Sequence, residues 1–363
     1  QGPTSISVTV TDTAGQTGTG SSTVNVDTLQ GGVAISIISG DDYISKNEAT
    51  GQVTIRGTSA GLDANTTVTI TIGTKTFPAQ TDAQGNWSET LPAGTLLTQP
   101  DGALTVTATA NGPNGTVSDN HTLNILINNL PNVSLNTPFG DGVLNAQEIT
   151  QNQTLSGKTG VSGAGQKVVI TIDGVNYQGT VDANGNWNAT IPSGALSGLT
   201  NASSPLQVTV TVTDIAGNTG SQNLNVPVDV VPPQVTISVF AGNNYLNTVE
   251  SNTTQTLSGT ATDVQAGDKV TLVLNGKTYT TTIGQNGAWS IPVTSADLKA
   301  LPDGTVNMTV TVTDSAGNAT VVTKPIQVAI DPTKQPVLSV DPVTSNNILD
   351  ASELNQAVIV TGK

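Results

Sequence analysis

The chain has 363 residues and a net charge of −15, with 11 Lys and Arg against 26 Asp and Glu, and it contains no cysteine. The acidic balance and the lack of any basic cluster exclude nucleic acid as a partner. The missing cysteines exclude disulfides, thiol catalysis and Cys-ligated zinc. No apolar run approaches the roughly 18 residues of a membrane helix, so membrane insertion is not expected.

The composition favours short strands and many turns. Only 3% of the residues are aromatic and 10% are charged, while Gly, Thr, Ser, Asn and Val are abundant. β-Branched residues fit pleated sheets, and Gly, Asn and Asp supply the backbone angles of turns. An apolar content of 35% is too high for a disordered segment and suits several small cores better than one large core.

The sequence repeats itself at intervals of 100 to 103 residues. Three tryptophans close the phrases DAQGNW, DANGNW and GQNGAW, and four glutamates close DDYISKNE, DGVLNAQE, NNYLNTVE and NNILDASE. A third phrase reads VTVTDTAGQ, VTVTDIAGN or VTVTDSAGN, and ANGPNG replaces it at Asn111. A period of this length is a whole domain. The marker residues are Trp87, Trp187 and Trp289, and Glu48, Glu148, Glu250 and Glu353.

One repeat, residues 131–230, predicts seven strands. Apolar residues alternate clearly in LQVTVTV, turn residues such as Asp173-Gly174 separate the strands, and no stretch keeps a helical period for long. In chain order the predicted strands are A at 133–139, B at 154–159, C at 167–172, C′ at 176–181, E at 186–191, F at 206–214 and G at 221–229.

Short strands with turns every 8–12 residues are typical of an immunoglobulin-like sandwich. We therefore predict an all-β chain of tandem immunoglobulin-like β-sandwich domains in an extended rod. The two end fragments lack the strands for a core of their own and are expected to order only by packing on a neighbour. The predicted domains are 1–29 (a partial F–G hairpin), 30–129, 130–231, 232–331 and 332–363 (a partial A–B pair).

Strand direction brings acidic residues together where domains meet. If strand A runs downward, the A–B loop and the end of strand G lie at the bottom of a domain, and the F–G turn lies at the top of the next. The candidate metal ligands are Asp41, Asp42, Glu48 and Asp214 at the first junction. At the second junction they are Asp141, Asn145, Glu148, Asp229 and Asp314, with Asp263 and Asp268 nearby. At the third junction they are Glu250 and Asp331, together with Asn243 and Asn244.

Crowded carboxylates repel one another, and each pair costs roughly 3 kcal/mol at about 6 Å and an effective dielectric near 20. Calcium, a hard dication with about six to eight oxygen ligands, removes this cost. The sequence thus predicts Ca²⁺ at the junctions, most strongly at the second. The first and third junctions carry fewer charges and are expected to bind it more weakly.

Simpler interpretations stand beside this one. The Asp of TDxAGN can form an Asx turn, which is compatible with metal binding. Glu48 and its counterparts can be solvated loop charges, the tryptophans are expected to be core residues, and Asp82 and Asp182 are expected to form turns. A glycosidase needs one cleft with two carboxylates in distinct environments, whereas here one residue set recurs along the chain. The sequence therefore predicts a protein that is not an enzyme.

The phrases VxGT/K, DGxLNxxE, DxxGNW, VTVTDxAGN and the terminal VD resemble the bacterial Ig-like repeats of giant, type I-secreted, non-fimbrial adhesins. The resemblance implies calcium at the domain junctions, export as an unfolded chain, and contact with host-cell glycans near the distal end. Carried over by motif, it implies metal on Asp141, Glu148, Asp229 and Asp314, and on Asp41, Asp42, Glu48 and Asp214. Asn111, Asn128, Asn243 and Asn244 depart from the pattern and leave fewer charges to face an ion.

The leading hypothesis is a structural one. The chain is expected to be a calcium-rigidified spacer, secreted or on the bacterial cell surface, whose partners are calcium ions and the neighbouring Ig-like domains. Interdomain contacts within a chain are normally small and mobile, so an ion bridge would stiffen them. The alternatives are a lectin whose domains bind host-cell glycans directly, and the accessory array of a secreted polysaccharide-degrading enzyme.

Overall fold

The computed structural model describes residues 2–26 and 31–363. The prediction of an all-β chain of tandem sandwiches is confirmed, because strands form the sheets throughout and the helices are single turns. The domain boundary predicted at residue 29 lies outside the described residues. No helix in the described part is long and apolar enough to cross a membrane.

The strands and helices follow in chain order. They are β1 Gly2–Thr11, β2 Thr17–Val26, β3 Gly32–Ile35, β4 Tyr43–Ser45, α1 Lys46–Thr50, β5 Val53–Ala60, β6 Thr67–Ile72, β7 Lys75–Gln80, β8 Asn86–Leu91, β9 Gly102–Gly112, β10 Gly115–Leu126, β11 Ser134–Leu135, β12 Leu144–Asn145, β13 Gln153–Lys158, β14 Lys167–Ile172, β15 Val175–Val181, β16 Asn186–Ile191, α2 Ser193–Leu196, β17 Leu206–Thr213, β18 Thr219–Val226, β19 Val228–Asp229, β20 Gln234–Ile237, β21 Tyr245–Asn247, β22 Gln255–Thr262, β23 Lys269–Leu274, β24 Lys277–Thr282, β25 Ala288–Val293, α3 Ser295–Lys299, β26 Gly304–Thr313 and β27 Ala319–Ala329. Short 3-10 turns lie at Thr95–Thr98, Glu148–Thr150, Asn201–Ser203, Glu250–Asn252, Gln285–Gly287 and Pro332–Lys334.

The chain packs as two compact units. The first comprises Gln1–Gly142, Gln153–Ile191 and Pro205–Val226. It contains the hairpin β1-β2, the sheets β3-β5-β8 and β4-β10-β9-β6-β7, and the seven-stranded sheet β11-β13-β16-β15-β14-β17-β18. The last sheet is continuous because β15 pairs with β16, and Gly179 allows this approach: a Cβ there would lie 3.1 Å from Asn188 O.

The second unit comprises Val143–Asn152, Pro192–Ser204 and Pro227–Lys363. Its sheets are β12-β19, β20-β22-β25 and β21-β27-β26-β23-β24. In both units the short strand after the A–B turn pairs parallel with the last strand of its repeat, as β4 with β10, β12 with β19 and β21 with β27. This short strand was not predicted from the sequence.

Each repeat buries its tryptophan against a glycine of the neighbouring strand. Trp87, Trp187 and Trp289 are at most 3% exposed, which confirms the prediction that they are core residues. A Cβ added at Gly259 would lie 2.0 Å from Thr236 O and 2.5 Å from the Trp289 ring. The glycine of the VxGT/K phrase is therefore required by the indole that covers it.

In the end fragments, the described residues 2–26 and 332–363 contribute no side chain to the buried cores. In the hairpin β1-β2 the side chains of Val8 and Val10 are 59% and 66% exposed. In residues 335–363, Val340 and Gly362 form an isolated antiparallel bridge, and Ser339 and Lys363 exchange backbone hydrogen bonds. The partial A–B pair predicted for this fragment stays a prediction.

Candidate functional site at the contacts between repeats

The Asp of each VTVTDxAG phrase shapes its own turn. Asp214 Oδ1 accepts hydrogen bonds from the backbone N–H groups of Ala216 and Asn218, at 3.0 and 2.9 Å. Asp314 repeats this with its own turn, and Asp12 does so in the first hairpin. The Asx turn expected as the simpler interpretation is thus confirmed.

The Asn that ends this turn reaches into the preceding repeat. Asn218 Oδ1 accepts a hydrogen bond from Lys46 N–H at 2.8 Å, and Asn218 Nδ2 donates to Leu126 O at 2.8 Å. Its amide also donates to Asp214 Oδ2, which fixes the amide plane. Because Ser45 pairs with Leu126, the amide lies at the end of the parallel β4-β10 pair and extends it by one link.

The same arrangement recurs at the next contact. Asn318 Oδ1 accepts from Ala146 N–H at 2.7 Å, and Asn318 Nδ2 donates to Asp229 O at 2.9 Å. Asn145 Nδ2 adds a bond to Ala316 O at 3.0 Å. We call these two arrangements the amide clasps. The sequence analysis missed them, although their Asn is the last letter of the VTVTDxAGN phrase.

The second contact also holds an acidic crevice of about 230 Å³. It carries four carboxylates and two side-chain amides within one short stretch of surface. Four of the residues predicted at this junction therefore share one crevice, whereas Asp141, Asn145 and Glu148 are not among its lining residues in the described chain. The polar lining is Asn201, Asp229, Asp263, Gln265, Asp268, Asp314 and Ser315.

Local bonds hold the carboxylates of this acidic crevice in place. Asp229 Oδ1 accepts from Asn201 Nδ2 at 3.0 Å, and Asp268 Oδ2 accepts from Gln265 N–H at 2.6 Å. Asp263 has a left-handed backbone, with φ of 56°. Within the described residues, no three acidic or histidine side chains are already close enough to hold a metal ion. The oxygen-only donor set nevertheless suits a hard cation such as Ca²⁺.

The recurrent glutamates close a hydrogen-bonded cap. Each accepts a bond from the backbone N–H three residues before it, at 2.9 to 3.1 Å. In α1 the reciprocal bond, which Glu48 N–H donates to Ser45 Oγ, completes a capping box. This structural role differs from both sequence-based interpretations, which were metal ligation and a solvated loop charge. The pairs are Ser45 with Glu48, Asn145 with Glu148, Asn247 with Glu250 and Asp350 with Glu353.

In the first A–B loop, the two aspartates Asp41 and Asp42 also hold the loop backbone through hydrogen bonds. Asp41 Oδ1 accepts from Tyr43 N–H, and Asp42, with φ of 63°, accepts from Ile38 N–H. Burial alone would raise the pKa of Asp42, but the Ile38 N–H and His121, 2.7 Å away, lower it below its ordinary value. Asn243 and Asn244 make the same backbone bonds in the third repeat, because an amide oxygen accepts as a carboxylate does.

A lysine lies beside the last predicted ligand. Asp331 Oδ1 accepts from the hydroxyl and N–H of Thr333, and these bonds lower the pKa of Asp331. Lys334 Nζ lies 3.4 Å from Asp331 Oδ2 and 3.6 Å from Asp303 Oδ2. A cation of the protein itself thus offsets one of the two negative charges of Asp303 and Asp331, while Glu250 caps the nearby turn.

Two bacterial adhesins are among the solved structures that resemble the chain. One is a Ca²⁺-stabilized adhesin that helps an Antarctic bacterium reach out and bind ice, at 31% identity over 91% of this chain and 81% of that chain, with a TM-score of 0.40. A 1.5-MDa bacterial ice-binding adhesin, studied for host cell surface retention, matches at 31% identity over 84% of this chain and 99% of that chain, with a TM-score of 0.39.

A single bacterial immunoglobulin-like domain of the *M. primoryensis* ice-binding adhesin matches at 38% identity over 28% of this chain and all of that domain, with a TM-score of 0.23. No curated protein matches the chain. The family of the bacterial Ig-like domain matches residues 128–230 and 235–332, which is more than half of the sequence. The chain therefore belongs to the bacterial Ig-like domain family.

Proposed function

We propose that this chain is an extracellular spacer segment of a large, type I-secreted bacterial adhesin, and that calcium stiffens the contacts between its repeats. In this proposal the chain has no enzymatic role: its repeats carry a binding region away from the cell surface. The acidic crevice at the second contact carries the proposal. The calcium of the Antarctic adhesin is a property of that protein.

The negative charge of this crevice favours a cation. Asp229, Asp263, Asp268 and Asp314 line one crevice of about 230 Å³, with Lys and Arg absent from its lining. Each pair of such carboxylates repels by roughly 3 kcal/mol at about 6 Å. A calcium ion that takes oxygens from both repeats would relieve this repulsion and add a bond between them. At the first contact, Asp41, Asp42, Glu48 and Asp214 remain the proposed weaker site.

A calcium titration followed by thermal unfolding tests this proposal. Millimolar calcium is expected to raise the Tm of the wild-type chain, and Asp263→Asn is expected to shift the titration to higher calcium. Asn tolerates the left-handed backbone of Asp263, so the exchange removes the charge without straining the loop.

Asp173→Asn is the matched control. Asp173 also has a left-handed backbone, with φ of 48°, and lies in the β14-β15 turn away from the acidic crevice. Its calcium response is expected to equal that of the wild-type chain. A Tm that calcium leaves unchanged, or an unaltered titration in the Asp263 variant, would contradict the proposal.

A further inference from the structure

Both amide clasps use the same two backbone groups of the preceding repeat. One is the N–H that follows the capping residue, Lys46 or Ala146, and the other is the carbonyl of the strand residue paired with that cap, Leu126 or Asp229. The pairings of Ser45 with Leu126 and Asn145 with Asp229 define this position. The same pair of backbone groups is therefore presented at the end of both repeats.

The third repeat carries the same position. Asn247 pairs with Ala329 in the parallel β21-β27 pair, so Thr248 and Ala329 correspond to the two groups that a clasp uses. Here a side-chain amide from the chain itself already contacts the carbonyl. Gln335 Nε2 lies 3.4 Å from Ala329 O and also 3.4 Å from Asp331 O.

The Gln335 contact is longer than those of the clasps. The clasp amides lie 2.8 and 2.9 Å from their carbonyls, near the ideal distance for N–H···O bonds, whereas 3.4 Å and two competing acceptors mark a weak bond. A groove of about 470 Å³, lined by Thr248, Asp303, Asp331 and Lys334 among others, lies beside it. The groove leaves room for an incoming turn, and the hydrogen bond that Gln335 donates to Ala329 O is weak.

We propose that this end of the third repeat is an acceptor for the F–G turn of a further immunoglobulin-like repeat, recognised by the Asn side chain of an Asp-x-Ala-Gly-Asn turn. The incoming amide takes Gln335's place at Ala329 O and accepts from Thr248 N–H. The turns at 214–218 and 314–318 are two occupants of the equivalent position. This recognition uses no metal, so it stands or falls separately from the proposed calcium site.

The chain itself supplies the probe. A head-to-tail cyclised hairpin peptide of residues 309–322 carries the Asp314–Asn318 turn, and the same peptide with Asn318→Ala is its matched control. Each is titrated into the isotopically labelled 363-residue chain in the presence of a calcium chelator, and the amide signals of Thr248 and Gln335 are followed by NMR.

The Asn peptide is expected to shift both signals, and the Ala peptide to bind about tenfold more weakly, a loss of about 1.4 kcal/mol. The signals of Lys46 and Ala146, whose clasps are filled, are expected to stay in place. Gln335→Ala in the chain removes the competitor and is expected to tighten binding of the Asn peptide. Equal binding of the two peptides, or no shift at Thr248 in either chain, would overturn the proposal.

Discussion

A side-chain amide suits the clasp position because it offers an acceptor and a donor about one peptide group apart. Asn318 Oδ1 takes the N–H of Ala146 while Nδ2 serves the carbonyl of Asp229, and the residue is only 4% exposed. A carboxylate at this position would accept the first bond but face the carbonyl with a second acceptor. The choice of Asn over Asp therefore follows from the chemistry of the preceding repeat.

Removal of this amide leaves two backbone groups without their partner. Asn318→Ala is expected to destabilise the contact by about 1–3 kcal/mol, the usual cost of unpaired buried polar groups. Hydrogen exchange at the Ala146 amide would report the loss directly and is expected to accelerate. Asn307→Ala, an exposed position on β26, is the control and is expected to leave that exchange rate alone. Unchanged protection of Ala146 in the Asn318 variant would contradict the clasp.

The glycine beneath each tryptophan is the most sensitive single position. Gly259→Ala would place a methyl group 2.0 Å from Thr236 O, a distance that the rigid β20-β22 pair cannot relieve without moving Trp289. We expect a loss of at least about 3 kcal/mol in the unfolding free energy of this repeat, measured in urea. Gly32→Ala, at a strand glycine of the first repeat with open space around it, is expected to change the unfolding free energy of its own repeat by less than about 1 kcal/mol. Equal values for the two would rule out this packing.

The motif residues were predictable, but their roles were only partly so. The Asx turns at Asp82, Asp182 and Asp214 follow from turn chemistry alone, and the structure confirms them. The capping role of the glutamates was also readable, because Ser45 and Glu48 have the spacing of a capping box. The clasp was not, because its partners lie about 90 and about 170 residues away in sequence.

At the scale of the element, one carboxylate ties two strand ends together. Asp101, just before β9, accepts the N–H groups of Ile127, Asn128 and Asn129, just after β10. Burial alone would raise the pKa of Asp101, but these three N–H donors outweigh it and lower the pKa below its ordinary value. The ionised form is therefore favoured by the folded state.

The lowered pKa of Asp101 fixes the direction in which the stability of the fold changes with pH. A lowered folded-state pKa contributes stability above the unfolded pKa of about 3.9, and this contribution disappears as the pH falls through the folded value. Urea unfolding between pH 7 and pH 2 is expected to show a shallower acid loss in Asp101→Asn than in the wild-type chain. Superimposable pH profiles would show that this carboxylate does not couple to folding.

The long strands were readable from alternation, and the short elements were not. The predicted C and E strands at 167–172 and 186–191 match β14 and β16. By contrast, β12 has two residues and α2 has four, so each spans only one period of its own pattern, too short for a pattern to be recognised. Their formation depends on partners that tertiary packing supplies. Likewise, the β15-β16 pair brings Asn188 O close to Gly179, whose counterparts Ala79 and Thr281 lie in repeats with separate sheets.

For the whole molecule, repetition was the strongest sequence signal. Three tryptophans and four glutamates at a common spacing predicted tandem sandwiches, because a unit of about 100 residues can bury its own core. The side-chain contacts between repeats are harder to predict. Strand direction shows at which end of a domain a residue lies, but it does not show which hydrogen bond each side-chain oxygen makes. Direct glycan binding stays a prediction that a glycan array on the 363-residue chain would decide.

The parallel pairing of β4 with β10, β12 with β19 and β21 with β27 has a mechanical consequence. Tension on the chain enters each pair at opposite ends, so its hydrogen bonds are loaded together in shear, whereas the antiparallel β1-β2 hairpin would unzip one bond at a time. When the chain is pulled by its ends in a single-molecule experiment, we expect force peaks that each release about 100 residues. Gradual extension without such peaks would show that these short pairs bear no load.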